Sequence, residues 1–114
     1  MDHNQLAEIA INEIKHLEGV SKIILFGSVA RGTACKNSDI DMAVILDDLM
    51  RGFPLDYDGY PIHCQGEIDE ITRPLEKRHE IRFHVPTYYK SEYKRGIKIG
   101  RDILHKVGIV KYDF

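Results

Sequence analysis

Two aspartates, Asp39 and Asp41, stand at the head of an otherwise apolar run, Ile40, Met42, Ala43, Val44, Ile45 and Leu46. Aspartate is depleted in strands and costly to bury unpaired. In an extended chain residues i and i+2 face the same way, about 6.6–7 Å apart. Asp39 and Asp41 therefore share a face that Ala43 and Ile45 continue, while Ile40, Met42, Val44 and Leu46 make a second, wholly apolar face. Two carboxylates aimed at one point repel each other unless a cation lies between them. A hard divalent ion answers this, because Mg²⁺ takes one or two carboxylates and completes its shell with phosphate oxygens and water.

Upstream, Gly27-Ser28 breaks the β-branched, apolar run VSKIILF of residues 20–26. A turn where a strand hands over to a short helix offers backbone N–H groups and a hydroxyl to phosphate. Gly27 lets the backbone come close, Ser28 adds a small donor, and Arg31, one turn on, reaches the same anion. Singly, each feature is commonplace: a strand-end aspartate is solvated at a sheet rim, a Gly-Ser is a turn, an arginine is surface. Their order and spacing set them apart.

The elements that must position these groups follow from periodicity. Leu6, Ile9, Ala10, Ile14 and Leu17 recur at helical spacing, and Gly19 follows as a stop. Residues 20–26 form a strand, SVAR a short helix ended by Gly32, TACKNS a polar loop, and 39–46 the second strand. Residues 50–66 are rich in Gly, Pro and Asp with aromatics between them, and read as a hairpin, a packed loop or a flap. Ile68, Ile71 and Leu75 have helical spacing, and Pro74 among them predicts a helix that starts near Thr72 or breaks there. Residues 81–85 alternate like a strand that Pro86 closes. Residues 91–105 are expected as one helix, with Tyr93, Ile97, Gly100 and Leu104 on one face and Lys90, Lys94, Lys98 and Arg101 as a basic stripe beside it. A short strand over 109–112 ends the series, which implies a mixed sheet with helices packed against it.

With 114 residues, 43% hydrophobic and 30% charged, the chain is expected to be one domain, 1–114, with 47–66 as a loop or flap insertion. Met1-Asp2-His3-Asn4 carries no basic n-region and no apolar run nears the roughly 18 residues of a membrane span, so a cytoplasmic location is expected. Cys35 and Cys64 share no metal or redox spacing and are read as reduced thiols, and His63 beside Cys64 shows no zinc spacing. The net charge is −2, which argues against general nucleic-acid binding. Charge is uneven, however: 87–111 holds seven basic residues against Glu92 and Asp102. That end reads either as a solvated helix face or as an attractor of polyphosphate, an acidic partner or RNA. Tyr57, Tyr60, Tyr88, Tyr89 and Tyr112 read as packing or partner-surface residues, with base stacking by Tyr88-Tyr89 as the alternative.

The stretch GSVARGTACKNSDIDMAVI resembles the signature of the minimal nucleotidyltransferases of the DNA polymerase β-like superfamily. It has Gly-Ser, ten residues, then Asp-x-Asp, with Ala-Arg-Gly after the serine, a Ser before the first Asp, and an apolar strand beyond. The ending is also similar: Ile103-Leu104, then Gly108-Ile109-Val110 and Tyr112. The resemblance covers most of the chain apart from 47–66. It implies an α/β nucleotidyltransferase fold and transfer of a nucleoside monophosphate, AMP foremost, from ATP or another NTP with release of pyrophosphate. Gly27, Ser28 and Arg31 are then the nucleotide-binding residues, and Asp39 and Asp41 are catalytic and hold Mg²⁺ or Mn²⁺. Small proteins of this type are often partners of HEPN-domain toxins, and some are antitoxins that move AMP onto a toxin tyrosine. The resemblance therefore implies a protein partner of that kind, with nucleic acid less favoured.

One departure stands out. The third acid of the family falls on Arg82, with Glu80 and His84 two residues to either side. Glu80 is taken as the third catalytic carboxylate. His84 as base or metal ligand, Asp69, or no third acid at all are the alternatives. The last of these makes the chain a weak or inactive transferase that neutralises its partner by contact. A small-molecule or RNA nucleotidyltransferase is a third class, which the basic residues of 91–105 leave open.

Overall fold

The computed structural model describes residues 1–49 and 64–114. Helix α1 (His3–Ile14) opens on a reciprocal cap, the Asp2 carboxylate accepting the Gln5 N–H at 2.8 Å and the Gln5 side chain accepting the Asp2 N–H at 2.9 Å. Strand β1 (Val20–Phe26) runs into the single turn α2 (Gly27–Arg31), which Gly32 closes in the left-handed region. Strand β2 (Ile40–Leu46) returns antiparallel to β1, pairing Phe26 with Asp41, Leu25 with Met42 and Ile24 with Ala43. After helix α3 (Gln65–His79), the short strands β3 (Phe83–His84) and β4 (Thr87–Tyr89) both lie parallel to β2. Strand β7 (Ile109–Asp113) pairs antiparallel with the other side of β1, giving the order β3-β2-β1-β7 with β4 also on β2.

The sheet divides the core as its pleat requires. Ile23 and Leu25 of β1, with Ile40, Met42, Val44 and Leu46 of β2, face the apolar stripe of α1 (Leu6, Ala7, Ala10, Ile11, Ile14) and Ile68 of α3. Ile24, Phe26, Ala43 and Ile45 face the other way, onto Tyr88 and Leu104. The expected split of the second strand into a wholly apolar face and a face headed by the aspartates is the one observed. Tyr88 and Tyr89 are buried in these two clusters, as packing residues.

Three local expectations are corrected. Residues 91–105 are not one helix: α4 (Lys90–Lys94) is a single turn, followed by a hairpin of β5 (Lys98–Ile99) and β6 (Asp102–Ile103) and the turn α5 (Leu104–Val107). Gly96 at φ 89° and Gly100 at φ 57° take left-handed conformations, the first ending α4 and the second turning the hairpin. Lys94, Lys98 and Arg101 are exposed but lie on a helix, a strand and a turn, not along one stripe. Helix α3 begins at Gln65, inside the stretch expected as a loop, and carries Pro74 within it. The prolyl ring is on the exposed side while Ile68, Ile71, Thr72 and Leu75 keep the opposite face against the core or close to it. Pro86 does not end the third strand's run either. Its carbonyl accepts the Val44 N–H at 2.9 Å, so β4 resumes beside β2, and a missing N–H is tolerated at such a sheet edge. The remainder of the expected flap, with Tyr57, Tyr60 and His63, lies outside the described residues.

Leu104 is fully buried in the cluster of Ile24, Phe26 and Ile45, with Ile97 and the hairpin's Ile99 packed against it. Leu104→Ala is expected to lower the unfolding free energy in urea by about 2–5 kcal/mol, the range for an emptied core leucine.

Candidate active site

The pairing of Phe26 with Asp41 sets the geometry, because the residue after Phe26 is Gly27. Gly27 has φ 70°, and a Cβ built on it would overlap the Asp41 carboxylate. Only glycine lets the turn sit against that side chain. Ser28 follows, half-buried, and Thr33 N–H closes back onto the Ser28 carbonyl at 2.9 Å. Asp39 precedes β2 and is exposed; Asp41 lies just inside it and is partly covered, its side chain 21% exposed.

On the other side of β2 the parallel register sets His84 beside Asp41, and His84 Nδ1 lies 3.1 Å from Asp41 Oδ1. The Phe26 ring meets the imidazole edge-on, centroids 6.1 Å apart. Arg82 is exposed, and its carbonyl accepts the Ile40 N–H at 2.8 Å. Glu80 is not on the strand. It caps α3 in a left-handed conformation (φ 53°) and lines, with Lys36, Asp39 and Arg82, a shallow depression. Asp69 lies on α3 against Arg73 at 3.7 Å. The fold thus gathers Gly27, Asp41 and His84, holds Asp39 next to them, and leaves Glu80 at the rim on the Asp39 side.

In the sequence Asp102 stands only as one of two acids among the seven basic residues of 87–111. In the structure it is the buried partner of the Gly-Ser turn. Its Oδ2 accepts the Gly27 N–H at 2.8 Å and its Oδ1 accepts Arg31 Nη1 at 2.7 Å, with the carboxylate side chain only 9% exposed. The sequence signal for it was weak: an aspartate one residue before the Ile-Leu of the closing pattern.

A family model described as "Polymerase beta, Nucleotidyltransferase" matches residues 8–99. The chain belongs to the polymerase beta nucleotidyltransferase family. Its α/β fold with a mixed sheet is that of the family. Among solved structures, a mutant of the toxin–antitoxin MntA–HpeT is similar at 14% identity and TM-score 0.52, over 100% of this chain and 75% of the other. A candidate nucleotidyltransferase from Sulfolobus solfataricus has 17% identity and TM-score 0.49, over 96% and 78%. At these identities the likeness to MntA–HpeT speaks for the fold alone. No curated protein matches the sequence.

The site carries its negative charge under tension. Burial holds the Asp41 carboxyl above its ordinary value of 3.8, and the charges of Asp39 and Asp102 push the same way, against the His84 hydrogen bond and charge. Carboxylate oxygens that repel one another in a half-buried notch suit a hard cation, and two of them match the share that Mg²⁺ takes from protein. Among the described residues no group of three or more His, Cys, Asp or Glu is gathered to hold a metal by itself. An ion held by Asp39 and Asp41 would need further oxygen atoms from elsewhere, which phosphate can provide. The thiols stand apart from this: Cys35 is exposed, and burial pushes Cys64 up to about 12. No helix among the described residues is long and apolar enough to cross a membrane.

Two expectations follow for stability. The folded protein holds the Asp41 proton more tightly than the unfolded chain does, so ionisation costs stability as pH rises through the folded value. Without metal, Asp41→Asn is expected to melt higher than wild type at pH 7, and the gap to narrow as pH falls toward 3.8; a lower Tm at neutral pH would refute this. Gly27→Ala should lower Tm at every pH, since a left-handed alanine costs roughly 1–2 kcal/mol before the overlap with Asp41 is relieved.

Proposed function

We propose that this nucleotidyltransferase moves AMP from ATP to a hydroxyl on a partner protein, in a Mg²⁺-dependent reaction, as the antitoxin of a HEPN-type toxin. The observation that carries the proposal is the close packing of the Gly27-Ser28 turn on Asp41, with Asp39 beside it. That packing supports reading the turn as the phosphate holder and the carboxylates as the metal pair of one nucleotide site. That a protein of similar fold is half of the toxin–antitoxin MntA–HpeT is in keeping with a protein partner.

Ser28, through its N–H and hydroxyl, and Arg31 hold the outer phosphates. Asp39 and Asp41 hold the divalent ion, which supplies neutralisation of the triphosphate and of the charge that builds on it. The acceptor oxygen attacks the α-phosphorus, the bond from that phosphorus to the β-bridging oxygen breaks, and pyrophosphate leaves. The hydroxyl proton goes to His84: with Nδ1–H donated to Asp41 Oδ1, Nε2 is the accepting nitrogen. His84 suits this role better than Glu80, because it touches Asp41 and Glu80 does not share the strand. A second reading, a contact-only module, draws on the same departure, an imidazole and an arginine where the family has an acid.

Calorimetry separates the two. ATP is expected to bind with Mg²⁺ and weakly without it, and Asp39→Asn plus Asp41→Asn should remove the metal-dependent part. Binding that ignores both metal and the double variant would sink the transferase reading. With a co-encoded HEPN-domain protein and labelled ATP, His84→Ala should slow label transfer by about 10²–10⁴-fold, the span of general-base effects. Glu80→Gln should change it little; the reverse order would return the third role to Glu80.

A further inference from the structure

We infer that Asp102 is a positioning residue for the nucleotide's phosphates: it holds the Gly27 turn and the Arg31 guanidinium in one fixed relation. The inference rests on the nucleotidyltransferase reading above and adds to it a residue from a distant part of the chain. Both oxygens of the Asp102 carboxylate are used, one by the Gly27 N–H at 2.8 Å and one by Arg31 Nη1 at 2.7 Å. Both bonds involve an ionised acceptor, and such bonds are shorter and stronger than neutral ones. Asp102 itself is held by its neighbours, paired with Ile99 across the hairpin and tethered through Leu104, whose N–H donates to the Ile97 carbonyl at 3.1 Å.

The consequence for Arg31 is specific. Its side chain is 48% exposed and would otherwise sample many rotamers. With Nη1 fixed on Asp102, the rest of the five-donor fork is presented at a set place beside α2. The consequence for the turn is as direct. Asp102 takes the Gly27 N–H, so Gly27 contributes its lack of a side chain, and Ser28 is left as the donor. Gly27 thus sits between two carboxylates, Asp102 on its amide and Asp41 against its Cα. A hairpin outside the main sheet thereby sets the anion-binding end of the site.

The test is MgATP affinity by calorimetry on wild type, Asp102→Asn, Arg31→Gln and the double variant, each first checked for a cooperative melt. Asp102→Asn keeps the shape but turns an acceptor oxygen into an NH₂, so one of the two bonds is lost. Affinity is expected to fall roughly tenfold or more, the scale of one hydrogen bond to a charged group. In the Arg31→Gln background the same change should cost markedly less, because Asp102 acts in part through that guanidinium. A residue with a merely structural role would lower Tm and leave this coupling at zero. If Asp102→Asn does not fold, Asp102→Glu, which keeps the charge on a longer arm, takes its place in the cycle with the same expected pattern. Wild-type binding with unchanged affinity in the Asp102 variant, or additive losses, overturns the inference while sparing the nucleotidyltransferase reading. Absence of MgATP binding by wild type overturns both. Tighter binding in Asp102→Asn overturns it in the opposite sense, showing a carboxylate that competes with phosphate.

Discussion

The antiparallel register that sets Phe26 opposite Asp41 governs the rest of the molecule. It fixes which residue follows the strand end, and so which backbone lies against the carboxylate. Shifted by one residue, Asp41 would turn to the side of the sheet covered by α1, against Leu6, Ala10 and Ile14, where no partner could meet it. The register is secured by burial on both sides of the sheet: Ile23 and Leu25 have their own cluster, Ile24 and Phe26 another. Function therefore inherits its geometry from hydrophobic packing several residues away.

Around that register the chain places its charges by element rather than by sequence neighbourhood. Asp41 comes from the second strand, His84 from a parallel edge strand, Asp102 from a hairpin beyond the sheet. Asp41 and His84 are tied to the site through backbone pairing as well as side-chain contact, Asp102 through its side chain. The half-buried carboxylate is destabilising on its own, a cost that the proposed role of binding a cation would explain.

Much of this was legible in residue types. The alternation around Asp39 and Asp41 yields the correct two faces, the Gly-Ser break falls where β1 ends, and Gly32 closes the short turn as its position predicts. What failed did so where glycine and proline have two meanings. Gly96 and Gly100 at helical spacing read as close-packing positions in a helix, yet both adopt left-handed backbone and fold the segment into a turn and a hairpin. Pro74 and Pro86 read as breakers, but one is carried on an exposed helix flank and the other at a sheet edge where no N–H is required. Asp102 was invisible for a different reason: its meaning depends on a contact across 75 residues, and no local spacing encodes that.

The same separation has a bearing on how the protein is made. Strand β1 has β2 as one neighbour, close behind it in the chain, and β7 as the other, which is synthesised only near the end of the described sequence. On the ribosome the first hairpin can pair while the far edge of β1 still stands open and the Gly27 amide still lacks its carboxylate. Long-range pairings of this kind close slowly, because the loop entropy is lost before the contact forms. A nascent chain thus displays its Gly-Ser/Asp-x-Asp stretch before residues 102–113 emerge to pack against it, and the Gly27 amide meets its carboxylate only late.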